Sequence, residues 1–149
     1  MSAAELLEAY PVRGALEGLA ARLAASRIGP DQLDVLAQQV DAMRAATRSA
    51  DVAAESAADA TFHATIIEAA ANSVLSRQWH QLQPFARTFI SLALPNSEHG
   101  DLADRHLPIL DALRSHDAAA AEAAMHEHLA DVAQRMRLLK RNPNEEKTS

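Results

Sequence analysis

A chain of 149 residues and 16.0 kDa is long enough for one domain with a real core and too short for two comfortable ones. Its 48% hydrophobic content is mostly Ala and Leu, with four Gly, short β-branched runs and no Cys, which points to an all-α fold and excludes disulfides and thiolate metal sites. A net charge of −6, with "RMRLLKR" (Arg135–Arg141) as the main basic run, argues against direct nucleic-acid contact; no apolar run approaches the roughly 18 residues a membrane span needs, and Met1–Glu8 lacks a signal-peptide pattern, so a cytoplasmic location is expected.

Ser2, with Glu5 three residues on, has the spacing of a capping box and opens a first helix. Pro11 is expected to interrupt it, after which "VRGALEGLAARLAASRIG" resumes with Val12, Leu16, Leu19, Ala20 and Leu23 on one stripe. Gly29 and Pro30 mark a stop and a new start, and Leu33, Leu36, Val40 and Met43 then recur at helical spacing. The pattern breaks between Arg48 and Asp51. A third helix follows over about 52–70 with Phe62, Ile66 and Ile67 on its apolar side.

Asn72 reads as a stop or turn residue. "SVLSRQWHQLQPFARTFISLAL" makes a long fourth helix bent at Pro84. After the loop "PNSEHGD", Asp101 or Asp104 is expected to cap a fifth helix that runs to about Ser115 with Pro108 in its first turns. Asp117 caps a sixth, and the last nine residues form a frayed tail. The expectation is an antiparallel bundle of about six helices, with residues 1–140 as one effector- and metal-binding domain and 141–149 as a flexible tail.

Seven histidines stand out in a chain with one Trp and one Tyr. Asp59 and His63, at i and i+4, share one face of the third helix. His106 lies near the start of the fifth helix, and His128 sits mid-sixth among Ala124, Met125, Leu129 and Val132. Three imidazoles and one carboxylate suit a divalent transition metal, and bundle interiors hold such sites between facing helices. Taken singly, an Asp–His pair at this spacing is ordinary on an exposed helix. His80, His99, His116 and His126 read as surface residues, His126 facing away from His128.

The order "VRGALEGLAARLAA", "DATFH", "AAANSVL" and "RHLPILDALRSHDAAAAEAAMHEHL" resembles the FCD domain, the ligand-binding domain of the FadR-like branch of GntR-type bacterial transcription regulators. The resemblance runs from about Glu5 to Leu139. It rests on Arg13 with Leu16 and Glu17, Asp59 with His63, Asn72, His106 with Ile109 and Leu110, Asp117, and His128 with Leu129. It implies one divalent metal (zinc, nickel or manganese) ligated by Asp59, His63, His106 and His128 at the floor of a bundle pocket, with a small carboxylate effector above it and a homodimeric assembly. Arg13 would fork onto the effector carboxylate. Arg87, with Thr88 and Ser91, would add polar contacts from the long helix. The plainer role for Arg13 is an ion pair with Glu17, one turn on.

Two departures from the family pattern stand out: Arg105 stands where Glu is often found before the third ligand, and Met1 lies almost where the effector domain should begin, so DNA binding is not expected of these residues. The function expected is effector sensing without enzymatic activity. A stand-alone metal-dependent lyase, hydrolase or isomerase is the alternative, with Glu17 or His80 as the available, unconvincing candidates for a general base.

Overall fold

The computed structural model describes residues 2–82 and 102–141, and these form an antiparallel all-α bundle. The helices are α1 (Ala3–Ala25), α2 (Pro30–Arg48), α3 (Val52–Ala69), α4 (described over 73–82), α5 (Leu107–Arg114) and α6 (Ala118–Arg141). A 3-10 turn, Asp104–His106, leads into α5. Pro84, Arg87, Thr88, Ser91 and His99, and the tail beyond Arg141, lie outside the described residues.

Local chemistry accounts for most helix ends. Ser2 and Glu5 form the expected reciprocal box: the Ser2 hydroxyl accepts from the Glu5 amide at 3.2 Å, and the Glu5 carboxylate accepts from the Ser2 amide at 2.7 Å. Three of the turns share one design. Ala50, Ala71 and His116 each follow a helix in the left-handed region, at φ 53°, 51° and 54°. After α2 and α5 the turn is a Schellman motif, with Asp51 N–H on Ala46 O and Ala50 N–H on Thr47 O, and Asp117 N–H on Ala112 O and His116 N–H on Leu113 O. The next residue caps the following helix: Asp51, Asn72 and Asp117 each accept from the amide three positions on, at 3.0 Å. Asn72 is therefore a start signal for α4 rather than only a stop for α3.

Two expectations about α1 are corrected. Pro11 does not interrupt it; the helix is continuous through the proline. A proline removes one backbone donor, and packing of Leu6, Leu7, Tyr10 and Leu16 on the core holds the helix on both sides of it. The apolar stripe is also rotated: Val12 and Leu19 are 49% and 44% exposed, while Tyr10, Arg13, Glu17, Ala20, Ala21 and Ala24 face inward. The buried face of α1 is thus an aromatic, an ion pair and a run of alanines, and the small residues let it lie close along α6.

The fifth helix also begins differently. Asp104 lies in the 3-10 turn, where its carboxylate pairs with Arg44 of α2 at 2.7 Å, and Pro108 occupies the first turn of α5 as expected. The core is Leu36, Val40 and Met43 from α2, Phe62, Ile66 and Ile67 from α3, Ile109, Leu110 and Leu113 from α5, and Met125 and Leu129 from α6. Each is almost completely buried. This packing holds α3, α5 and α6 against α1 and sets the positions of Asp59, His63, His106 and His128.

Candidate metal centre

Asp59 and His63 project from one face of α3, His106 closes the 3-10 turn before α5, and His128 comes from α6. All four are buried, His106 completely. Each offers one ligand atom, and those atoms all lie within 4.8 Å of one another. Asp59 Oδ1 is 2.9 Å from His106 Nε2 and 3.7 Å from His63 Nε2. The imidazoles of His106 and His128 are tilted with centroids 4.3 Å apart, and those of His63 and His128 stack at 5.4 Å. Phe62 meets the His106 ring edge-on at 4.7 Å and walls it on the α3 side.

The donor set fits a metal ion on two structural grounds. His106 Nδ1 donates to Leu102 O at 2.8 Å, so a neutral ring turns its Nε2 lone pair toward the Asp59 carboxylate. Two acceptors at that distance require a cation or a proton between them. Second, His128 Nδ1 is buried without a hydrogen-bond partner, which costs about 1–3 kcal/mol in a sealed site. One carboxylate oxygen and three imidazole nitrogens are ligands that suit zinc and its first-row neighbours.

A second ring of side chains supports the first. Glu17, 1% exposed, accepts at Oε1 from Arg13 Nε at 2.8 Å and from Trp79 Nε1 at 2.8 Å, with Arg13 Nη2 in ion-pair contact at 2.8 Å. Its other oxygen, Oε2, is held by His63 Nδ1. Burial disfavours the Glu17 carboxylate, yet Arg13, His63 and Trp79 together outweigh it and lower its pKa to about 2. Burial likewise opposes charge on His63, but Glu17 and Asp59 raise its pKa to about 9 in the metal-free site. Asp59 is held well below the usual carboxylate range, its burial overcome by His63 and His106. His128 goes the other way: burial, then the neighbouring His106 and His63, keep it neutral.

The structure therefore brings together all four residues expected from the sequence, Asp59, His63, His106 and His128, and places Arg13 beside them. Arg13 is the partner of Glu17, but in the interior rather than at the surface. Arg87 falls outside the described residues. His80 is exposed, His116 donates from Nδ1 to Ala25 O of α1 at 2.8 Å, His126 lies against Gly18 of α1, and Arg105 makes an ion pair with Asp131 of α6 at 2.7 Å. Neither candidate base is placed for that role: Glu17 is saturated by cations and N–H donors, and His80 is exposed with Nδ1 on Ser76 O at 2.7 Å. Sequence reasoning missed Glu17 as the partner of His63 and gave Trp79 no role. The two contacts cross 46 and 62 positions, and no local pattern marks them.

A cavity of about 20 Å³ adjoins the cluster, lined by Tyr10, Arg13, Leu102, His128, Leu129 and Val132 together with Asp59 and His63. That is room for about one water. A larger hollow of about 450 Å³ lies between α1 and α6, away from the cluster, and shares only Tyr10 and Leu129 with the small cavity.

Residues 8–131 match the FCD domain. The chain belongs to the FCD family. It is 36% identical over 126 residues to a probable D-xylose utilization operon transcriptional repressor of Paenarthrobacter nicotinovorans, covering 85% of this chain and 55% of that protein. Among solved structures it resembles Streptococcus agalactiae GntR, with a TM-score of 0.70 and 27% identity over 87% of this chain and 58% of that one. The E. coli McbR/YncC structure, at 20% identity, shares the fold with a TM-score of 0.77, covering 92% of this chain and 65% of that one. The FCD chain thus spans about half the length of the curated relative it matches. Among the described residues no helix is long and apolar enough to cross a membrane.

Proposed function

We propose that this FCD chain is the effector-sensing part of a GntR-type regulator, and that Asp59, His63, His106 and His128 hold one divalent transition metal in it. The observation that carries the reading is the buried convergence of one carboxylate and three imidazoles, one of them with an unpartnered nitrogen. Zinc, nickel and manganese are the candidates, with occupancy set by availability. Bound there, the ion supplies a Lewis-acidic seat of net positive charge for a small carboxylate effector.

The chain's own residues define what such an effector meets. Arg13 lines the adjoining cavity with a buried, charged guanidinium, able to pair with a carboxylate through N–H groups beyond those on Glu17. Arg87 is the second proposed contact. The cavity admits little more than a water, so a carboxylic acid has to displace its walls. Those walls are Tyr10 on α1, Leu102 ahead of α5, and Leu129 and Val132 on α6. Effector binding then necessarily changes how α1, α5 and α6 pack, which is the differential contact a sensor requires. The chain works in the cytoplasm as a homodimer and reaches DNA only through a separate DNA-binding region, without nucleic-acid contacts of its own.

The test is elemental analysis of the purified chain, with mass spectrometry of any small acid that copurifies. Close to one transition metal per chain is expected, lost in His106→Ala and His128→Ala. Unchanged metal content in both variants would refute the site.

A further inference from the structure

Glu17 touches no ligand atom of the cluster, yet it is buried, charged and bonded to three different helices' worth of neighbours: Arg13 on its own helix, His63 on α3 and Trp79 on α4. Its two oxygens are not equivalent. Arg13 Nε and Trp79 Nε1 both donate to Oε1 at 2.8 Å, and Arg13 Nη2 is in ion-pair contact with the same oxygen, so that oxygen is fixed as their acceptor. Oε2 is what remains for His63, and it meets Nδ1. A carboxylate can only accept, so Nδ1 must carry the hydrogen. The ring's other nitrogen, Nε2, is the one turned to Asp59 and the cluster.

We infer that Glu17 is a positioning residue for the metal centre: braced by Arg13 and Trp79, it holds His63 in the tautomer whose Nε2 lone pair faces the ion. This rests on the metal reading above and adds to it a cause for the buried Arg13–Glu17–Trp79 assembly. Support of this kind fixes both ring orientation and ligand basicity, and its loss commonly weakens metal binding about 10- to 100-fold.

The isosteric change Glu17→Gln separates this role from packing. With Arg13 and Trp79 still donating to Oε1, the new amide nitrogen takes the place of Oε2 and donates to His63 Nδ1. A neutral ring is then forced to carry its hydrogen on Nε2, where the metal must bind. Zinc alone is the probe, titrated into the full chain in competition with a chromogenic chelator. E17Q is expected to bind zinc about 100-fold more weakly than the unaltered chain. In a His63→Ala background, adding E17Q is expected to cost nothing further, because the ring through which it acts is gone. Side-chain ¹⁵N spectra of the zinc-loaded chain are expected to show hydrogen on His63 Nδ1.

Should E17Q unfold because Arg13 is left as an uncompensated buried charge, the pair Arg13→Met with Glu17→Gln removes both charges and keeps the amide facing Nδ1; the same loss is expected. Zinc affinity unchanged in a folded E17Q or R13M/E17Q chain, or a further loss of equal size on the His63→Ala background, overturns the positioning role. Failure of the metal reading looks different: the unaltered chain takes up no zinc, or His106→Ala binds it equally well, and the positioning role falls with it.

Discussion

Loading the centre with zinc at pH 7 is expected to release close to one proton from His63. In the metal-free site, Glu17 on Nδ1 and Asp59 beside Nε2 raise this imidazole to about 9 against burial. Two pH units below that value the ring is about 99% protonated, whereas an unperturbed imidazole near 6.5 would be about one-quarter protonated. A metal ligand must present a lone pair, so the difference between the two cases is about 1 proton against about 0.25. Asp59 is already ionised and His128 already neutral, so neither adds to the count, and a proton shared between His106 Nε2 and Asp59 Oδ1 would be released in addition to the one from His63. The raised pKa is a competition worth about 3 kcal/mol at a pH well below it, and apparent zinc affinity should climb about tenfold per pH unit from pH 7 to about 9 before levelling.

The sign reverses for the metal-free protein. A raised His63 contributes stability that is complete below about 6.5 and is lost as pH rises through about 9. Glu17, lowered to about 2, contributes stability present above about 4.5 and lost as pH falls through about 2. The chelated chain should therefore be most stable between about pH 4.5 and 6.5 and soften toward pH 9, while the zinc-loaded chain gains over the same upper range. Calorimetric titration in two buffers of different ionisation enthalpy counts the protons directly. A release below about 0.3 at pH 7, or an affinity flat from pH 7 to 9, would refute the argument that Glu17 and Asp59 charge this ring.

Two further outcomes concern the scaffold. Phe62→Ala deletes a fully buried ring that walls His106 at 4.7 Å and should cost about 3–5 kcal/mol in urea denaturation of the chelated chain; a loss under about 1 kcal/mol would mean the α3–α5 contact collapses into the gap. Ala50→Gly relieves a left-handed alanine at φ 53° on an exposed turn and should stabilise by about 0.5–1 kcal/mol after the extra freedom of the unfolded glycine is subtracted; thermal unfolding reads the gain, and destabilisation would show that the turn is unstrained.

The parts of this molecule legible in its sequence are those governed by local rules. The Ser2–Glu5 box, the Asp117 cap and the Leu36–Val40–Met43 stripe follow from spacings of three to four residues, and each appears as expected. Asp59 and His63 were readable as a pair for the same reason. Their junction with His106 and His128 was reached through resemblance, since no periodicity links α3 to α5 and α6. The reading of α1 erred because hydrophobic periodicity assumes that a helix buries its apolar side. This helix buries Arg13 and Glu17 and leaves Val12 and Leu19 outside, while alanine on both faces mutes the contrast.

That inversion has a physical cause in the site. An unpaired Arg or Glu in the interior is prohibitively costly, and a buried pair stabilises little against a hydrophobic replacement. Stability alone gives no reason for α1 to carry both inward. The cost is rational only if the pair acts on something else, and for Glu17 the geometry leaves one recipient: Arg13 and Trp79 occupy Oε1, and Oε2 meets His63. On this reasoning the Arg-x-x-Leu-Glu stretch at residues 13–17 is tied to the metal centre even though neither charged residue is a ligand. Exchanging both charges for neutral side chains of similar volume, as in Arg13→Met with Glu17→Gln, keeps an acceptor for Trp79 Nε1 and should then leave the fold about as stable as before while zinc affinity drops by at least tenfold. A chain that lost stability and kept its zinc affinity would instead make the pair a structural element of α1.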